Sequence, residues 1–239
     1  DRQAVKWTQG GGMQGLGRLR PNHFAGTATA VSADGNITVG YTWDPTFHHS
    51  LAFRHTDSGG LQELPSLPPA SFGPASQAVS ISPNGAFIVG TSVAADLLSH
   101  AVMWDDSGII DLGMFPAGQD ASAMGVSNGG LVVGAANALV GSGITNIGFV
   151  WERSVGLQYV GDYLIANGVS LPAGSLLIDC VEVSADSRTF LGTGTSPTLG
   201  RFNYVATVPG PSTCSLMALT IVSALYRRRR HARPTQVDR

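Results

Sequence analysis

Charge is scarce in this chain. Asp, Glu, Lys and Arg make up only 13% of its 239 residues, which argues against an ordinary helical enzyme. Cysteine is nearly absent. Cys180 and Cys214 are the only two, and their positions, one in the body and one near the C-terminus, are not those of a pair. A disulfide framework is therefore excluded, and a body of this length must stabilise itself by core burial. No apolar run approaches the ~20 residues that span a bilayer comfortably. Positive charge is thin over residues 1–208, with eight Lys/Arg against fifteen Asp/Glu. A mildly acidic body excludes a nucleic-acid partner. The chain also lacks an initial Met and a signal peptide, so the reading expects a fragment or a processed form.

Glycine is abundant, at 31 residues. With little charge and much Ser, Val and Thr, this suits short strands joined by tight turns. The strands repeat. Gly12, Gly60, Gly108 and Gly156 lie 48 residues apart, as do Leu16, Leu64, Leu112 and Val160. Trp7, His55, Trp104 and Trp151 precede the glycines by four or five residues. A second signature, Val31-Ser32-Ala33-Asp34-Gly35, recurs as Ile81-Ser82-Pro83-Asn84-Gly85, Val126-Ser127-Asn128-Gly129 and Val183-Ser184-Ala185-Asp186-Ser187. A period in this range with this content points to a propeller-type array. In the first full unit the expected strands are Thr27–Ser32, Ile37–Thr42, Ser50–His55 and Leu61–Leu67, with a hairpin at Asp34-Gly35. A short helical insert is expected at Asp162–Gly168. The fold class is thus all-β, a propeller-like array of four-stranded blades over residues 1–208. The N-terminus supplies only the third and fourth strands of a blade, so the ring is read as incomplete. The Gly and Trp columns are read as blade packing.

The repeats resemble the extracellular HAF-repeat family, named for a His-Ala-Phe triplet; His100-Ala101-Val102 is the nearest match. The tail resembles the PEP-CTERM sorting signal. Pro209, Pro211, Ser212 and Thr213 (motif 209–213) precede the 13-residue apolar run Cys214–Tyr226, and Arg227, Arg228, Arg229 and Arg230 open the basic segment 227–239. Gly210 stands where that family has Glu. The resemblance implies processing by an exosortase-type enzyme at the inner membrane, with delivery to the cell surface or the extracellular matrix. The physics of the tail agrees: a short apolar helix ended by four arginines anchors with its basic end in the cytoplasm. That helix is expected to stand apart from the β body.

Catalytic candidates are few. Gly125-Val126-Ser127-Asn128-Gly129 fits a nucleophile elbow in letters, but Ser127 belongs to a repeated column that leads into a strand. His48, His49 and His55 with Asp44 and Asp57 form a histidine-rich blade that could be imagined around a metal, yet His55 occupies the Trp column. Asp34, Asn84 and Asp186 sit one per blade, too few oxygens locally for calcium. No catalytic residue, metal or cofactor is therefore assigned. The expected function is an exported, non-catalytic scaffold or binding module with exopolysaccharide as its partner; the alternative is a secreted propeller hydrolase or lyase acting on polysaccharide.

Overall fold

A computed structural model describes residues 3–21, 23, 25–44, 49–68, 73–141, 143–210 and 220–222. The chain opens with β1 (Val5–Thr8) and β2 (Gly12–Gly15), which form a two-stranded antiparallel sheet. Three four-stranded antiparallel sheets follow in chain order. The first holds β3 (Ala25–Val31), β4 (Ile37–Asp44), β5 (His49–Thr56) and β6 (Gly60–Glu63). The second holds β7 (Ser76–Ile81), β8 (Ile88–Val93), β9 (Ser99–Asp105) and β10 (Gly108–Asp111). The third holds β11 (Ala121–Val126), β12 (Val132–Val140), β13 (Gly143–Glu152) and β14 (Gly156–Tyr159). A helix, α1 (Val160–Ala166), leads to the last sheet of β15 (Leu176–Leu177), β16 (Glu182–Val183), β17 (Thr189–Ser196), β18 (Gly200–Thr207) and β19 (Thr220–Val222).

The inner strands β3, β7, β11 and β16 neighbour one another in that order, so the sheets stack as blades along an arc. Gly12, Gly60, Gly108 and Gly156 each open a four-residue outer strand, and each has φ between 62° and 113°. That is left-handed backbone, which glycine adopts without the steric cost a Cβ would bring. After it, Leu16, Leu64 and Leu112 donate their N–H to Ala4, Ala52 and Ala101 at 2.9–3.0 Å and bury their side chains between blades. The fourth strand is consequently shorter than expected. It ends at Glu63, and Leu64 and Leu67 plug the gap to the next blade.

Each junction is an apolar layer. Val39, Ala52, Leu64 and Leu67 of one blade meet Ala78, Ile88, Val102 and Trp104 of the next. Trp104 is 2% exposed, and its indole N–H donates to the Pro65 carbonyl of the preceding blade at 2.6 Å. Trp151 is likewise buried at a junction. Trp7 departs from the expected packing of its column, with 68% exposure. Indoles of this column face the blade before their own, and no sheet precedes β1 among the described residues.

The first inner strand of the last blade, expected as Leu176–Ser184, is broken in two. Ile178 and Asp179 both aim their N–H at the Thr193 carbonyl, and the Asp179 carboxylate takes the Thr193 N–H and hydroxyl at 2.6 Å each. The carboxylate thereby replaces a ladder partner. Within the run 214–226, expected as a helix, Thr220–Val222 is instead a strand, antiparallel to β18. It fills the fourth-strand position of the last blade; the remaining residues of the run, and Arg227 to Arg230, lie outside the described residues. No described helix is long and apolar enough to cross a membrane.

Candidate functional site

The repeated polar residues are consumed by the turns that join the first two strands of each blade. Ser32 donates to Asp34 at 2.5 Å and accepts the Ile37 N–H at 3.0 Å, while Asp34 also takes the Asn36 N–H. Ser82 with Asn84, and Ser184 with Asp186, repeat the pattern. These bonds to Ser32 and Asn36 hold the Asp34 carboxyl below the usual carboxylate range, and Ser184 first, then the Arg188 N–H, does the same for Asp186. Ser127 is fully buried, accepts the Leu131 N–H and receives the Ser187 hydroxyl at 2.7 Å. Its oxygen is closed to any substrate. The turns also link consecutive blades: Ala33 donates to the Pro83 carbonyl, and Asn128 to the Ala185 carbonyl. Pro83 has no N–H to pass on, and the neighbouring Asn84 N–H goes to the Asn128 side chain instead.

The histidine-rich blade does not converge. His49 pairs across the sheet with Asp44 at one end of β5, whereas His55 sits at the other end, about 20 Å away at ~3.3 Å per residue. His48 lies outside the described residues. Among the described residues, no three His, Cys, Asp or Glu side chains gather to hold a metal ion. Two histidine contacts were invisible in the sequence. His23, 1% exposed, meets the Thr42 hydroxyl at 2.8 Å and lies 3.4 Å from the Asp44 carboxylate. Thr, His and Asp in a row resemble a triad by distance, but Thr42 is 2% exposed. His100 lies between Asp111, at 2.8 Å from Nδ1, and Asp96, at 3.0 Å from Nε2. Burial opposes its charge, and the two carboxylates outweigh burial, so its pKa is raised.

One hollow among the described residues is built mainly from residues that break the repeat. β12 and β13 are the longest of the described strands and pair along their whole length, from Val132 opposite Trp151 to Val140 opposite Gly143. Beside this hairpin stands α1, inserted after β14. The helix buries Val160 and Leu164, and it stops where Gly168 takes a φ of 84°. There the Gly168 N–H returns to Ile165 and the Val169 N–H to Leu164, a Schellman stop. Between hairpin, helix and β15 lies a cavity of about 390 Å3 walled by Leu139, Ile147, Ile165, Leu171, Leu176 and Tyr159. Tyr159 stacks on Phe115, with ring centres 4.4 Å apart. Asp162 and Ser175 are its polar groups, and the buried Ser175 Oγ has no hydrogen-bond partner. Neither a histidine nor a cysteine lines it.

Comparison of the whole structure with solved ones decides the architecture. Fourteen solved chains match. TolB from Acinetobacter baumannii superposes with a TM-score of 0.52 at 11% identity, over 90% of this chain and 46% of that one. The fold is β-propeller-like, similar to that of TolB. A putative TolB from Agrobacterium tumefaciens also aligns, with a TM-score of 0.49 at 15% identity over 84% of this chain and 63% of that one. The chain thus spans about half the length of the first of these structures and less than two thirds of the second. No family model and no curated protein matches the sequence.

Burial pushes the Cys180 thiol up to about 12, so it is a packed hydrophobe and not a nucleophile. A second hollow of about 460 Å3 under the turns holds Glu152, Arg153 and Tyr163. Burial first, then Glu152, raises the Tyr163 pKa. Of the sorting motif, Pro209 and Gly210 are described. Arg188 donates to the Val208 carbonyl at 3.3 Å, and a Cβ on Gly210 would lie 2.5 Å from its guanidinium. Body and tail therefore join at an arginine.

Proposed function

We propose that this chain is an exported, non-catalytic propeller module that displays a binding surface at the cell surface or in the exopolysaccharide matrix. The carrying observation is the division of labour among its residues. The repeated Ser and Asp columns are spent on turns, and in the cavity built by the non-repeating elements the Ser175 hydroxyl bonds no base and neither histidine nor cysteine is present. Propeller folds host both binding and catalysis, so the site and not the fold carries the choice. Export and sorting rest on the tail: a Pro-Gly-Pro break, an apolar run and four arginines. The run enters the inner membrane transiently, and an exosortase-type enzyme is its processing partner. For this to happen Thr220–Val222 must leave β18, since one segment cannot pair with the sheet and sit in lipid at once.

The test has two arms. Full-length protein expressed in a bacterium with an exosortase should fractionate with membranes, and protein lacking 209–239 should be released; a full-length form that stays soluble without processing refutes the anchor. Purified body should co-sediment with the host's exopolysaccharide without shortening it or generating unsaturated ends. Chain cleavage would establish the hydrolase or lyase reading in its place.

A further inference from the structure

We propose that the cavity between the β12–β13 hairpin and α1 is a binding site for a small amphipathic molecule that is neutral or cationic, with an apolar part and one hydrogen-bonding group. This rests on the reading of the chain as a binding module. The cavity's volume, about 390 Å3, lies in the ~300–1,000 Å3 range of ligand pockets. Leu139, Ile147, Ile165, Leu171 and Leu176 supply its apolar wall, beside Tyr159 and the polar groups of Asp162 and Ser175. Two of them leave large apolar surface in water, with Leu139 52% and Ile165 57% exposed. The Ile144 side chain near the hairpin tip adds a third exposed group. A concave apolar surface flanked by exposed apolar groups is unfavourable in water and is relieved by an apolar occupant.

The polar groups define the rest of that occupant. Ser175 presents a buried hydroxyl with no partner. A turn about χ1 that swings this hydroxyl into the cavity would let a ligand group bond it and remove the penalty of leaving it unpaired. Asp162 is exposed and lines the same cavity. Its carboxylate disfavours an anion and favours a neutral or positive group. Gly161 keeps the wall open. A Cβ there would touch only Leu171, at 3.7 Å, so a larger side chain would project into the space without a backbone clash.

N-phenyl-1-naphthylamine has this chemistry: two apolar ring systems, no charge and one N–H. Its fluorescence should rise and saturate at one molecule per chain. The anionic relative 8-anilinonaphthalene-1-sulfonate should bind several-fold more weakly, and Asp162→Asn should narrow that gap. Gly161→Leu should weaken the neutral probe by about tenfold or more, the scale of losing several buried methylene contacts. Leu139→Asp, at a half-exposed position that folding tolerates, should weaken it from the opposite wall. Trp7→Ser, which removes the exposed indole lining the separate hollow between β1 and β3, should bind like the parent. The proposal is overturned if the folded protein takes up no neutral probe, if both cavity variants bind unchanged, if Trp7→Ser abolishes binding, or if the two probes bind equally. Failure here with retained polysaccharide binding would leave the module reading intact and remove this cavity from it.

Discussion

Replacing Trp104 by Ala and Trp7 by Ala sets the same repeat column against itself. Trp104 is 2% exposed at the junction of two blades and donates its indole N–H to Pro65. Truncating a buried aromatic costs about 3–5 kcal/mol through lost transfer energy and the cavity left behind. The Pro65 carbonyl that loses its donor belongs to an exposed residue and can turn to water, so it adds little. In a chain of this size each kcal/mol lowers Tm by roughly 2–4 °C. Trp104→Ala should therefore melt at least ~6 °C lower, with a matching fall in the urea midpoint. Trp104→Phe keeps one aromatic ring but loses the rest of the indole with its donor, so it should cost less than Trp104→Ala, about 1–3 kcal/mol. Trp7 is 68% exposed, and its Ala variant should stay within about 0.5 kcal/mol of the parent. Thermal and urea melts followed by far-ultraviolet circular dichroism measure all three. Equal costs for Trp7→Ala and Trp104→Ala would refute the assignment of this column to junctions with the preceding blade.

Three further outcomes follow from the same geometry. Ser82→Ala removes a fully buried hydroxyl that joins Asn84 to the Phe87 N–H, and should cost ~1–3 kcal/mol in urea unfolding; no change would mean the turn holds without it. His100 has a raised pKa in the folded state. Its contribution is complete below the unfolded histidine value of ~6.5 and fades as pH rises through the folded value. The stability gap between parent and His100→Gln should shrink from pH 5.5 to pH 9, and a gap that widens would reverse the assigned sign. The Cys180 thiol should resist a colorimetric disulfide reagent in native protein and react on unfolding; rapid native labelling would contradict its burial.

Much of the fold was legible because its period is carried by residues with strict local demands. Gly60 must take a positive φ, and Asp34-Gly35 must turn, so both announce themselves in letters. Trp7 was misjudged because burial belongs to the neighbour and not to the residue: the letter is the same as at Trp104, and only the adjoining blade differs. Thr220–Val222 pairs with β18 although its apolar run suits a helix in lipid. Beside an open sheet edge, backbone pairing overrides such a preference. The candidate cavity left little trace. Ala135–Leu139 extends β12 with small residues whose alternation is faint, and Ser175, Asp162 and Leu139 are scattered along the chain. His23 and Asp44, 21 residues apart, meet only because the chain doubles back through β3 and β4.

The junctions between blades have a kinetic consequence. Every buried apolar cluster draws its members from two consecutive blades, and the turn bonds Ala33 to Pro83 and Asn128 to Ala185 join neighbours in the same way. Among the described residues, each blade settles against its neighbours in the chain. A chain that emerges N-terminus first during synthesis can lock its blades one after another, every new one templated by its predecessor. The order of emergence would be the order of assembly, and the last blade, with its apolar outer strand, would be the last to commit.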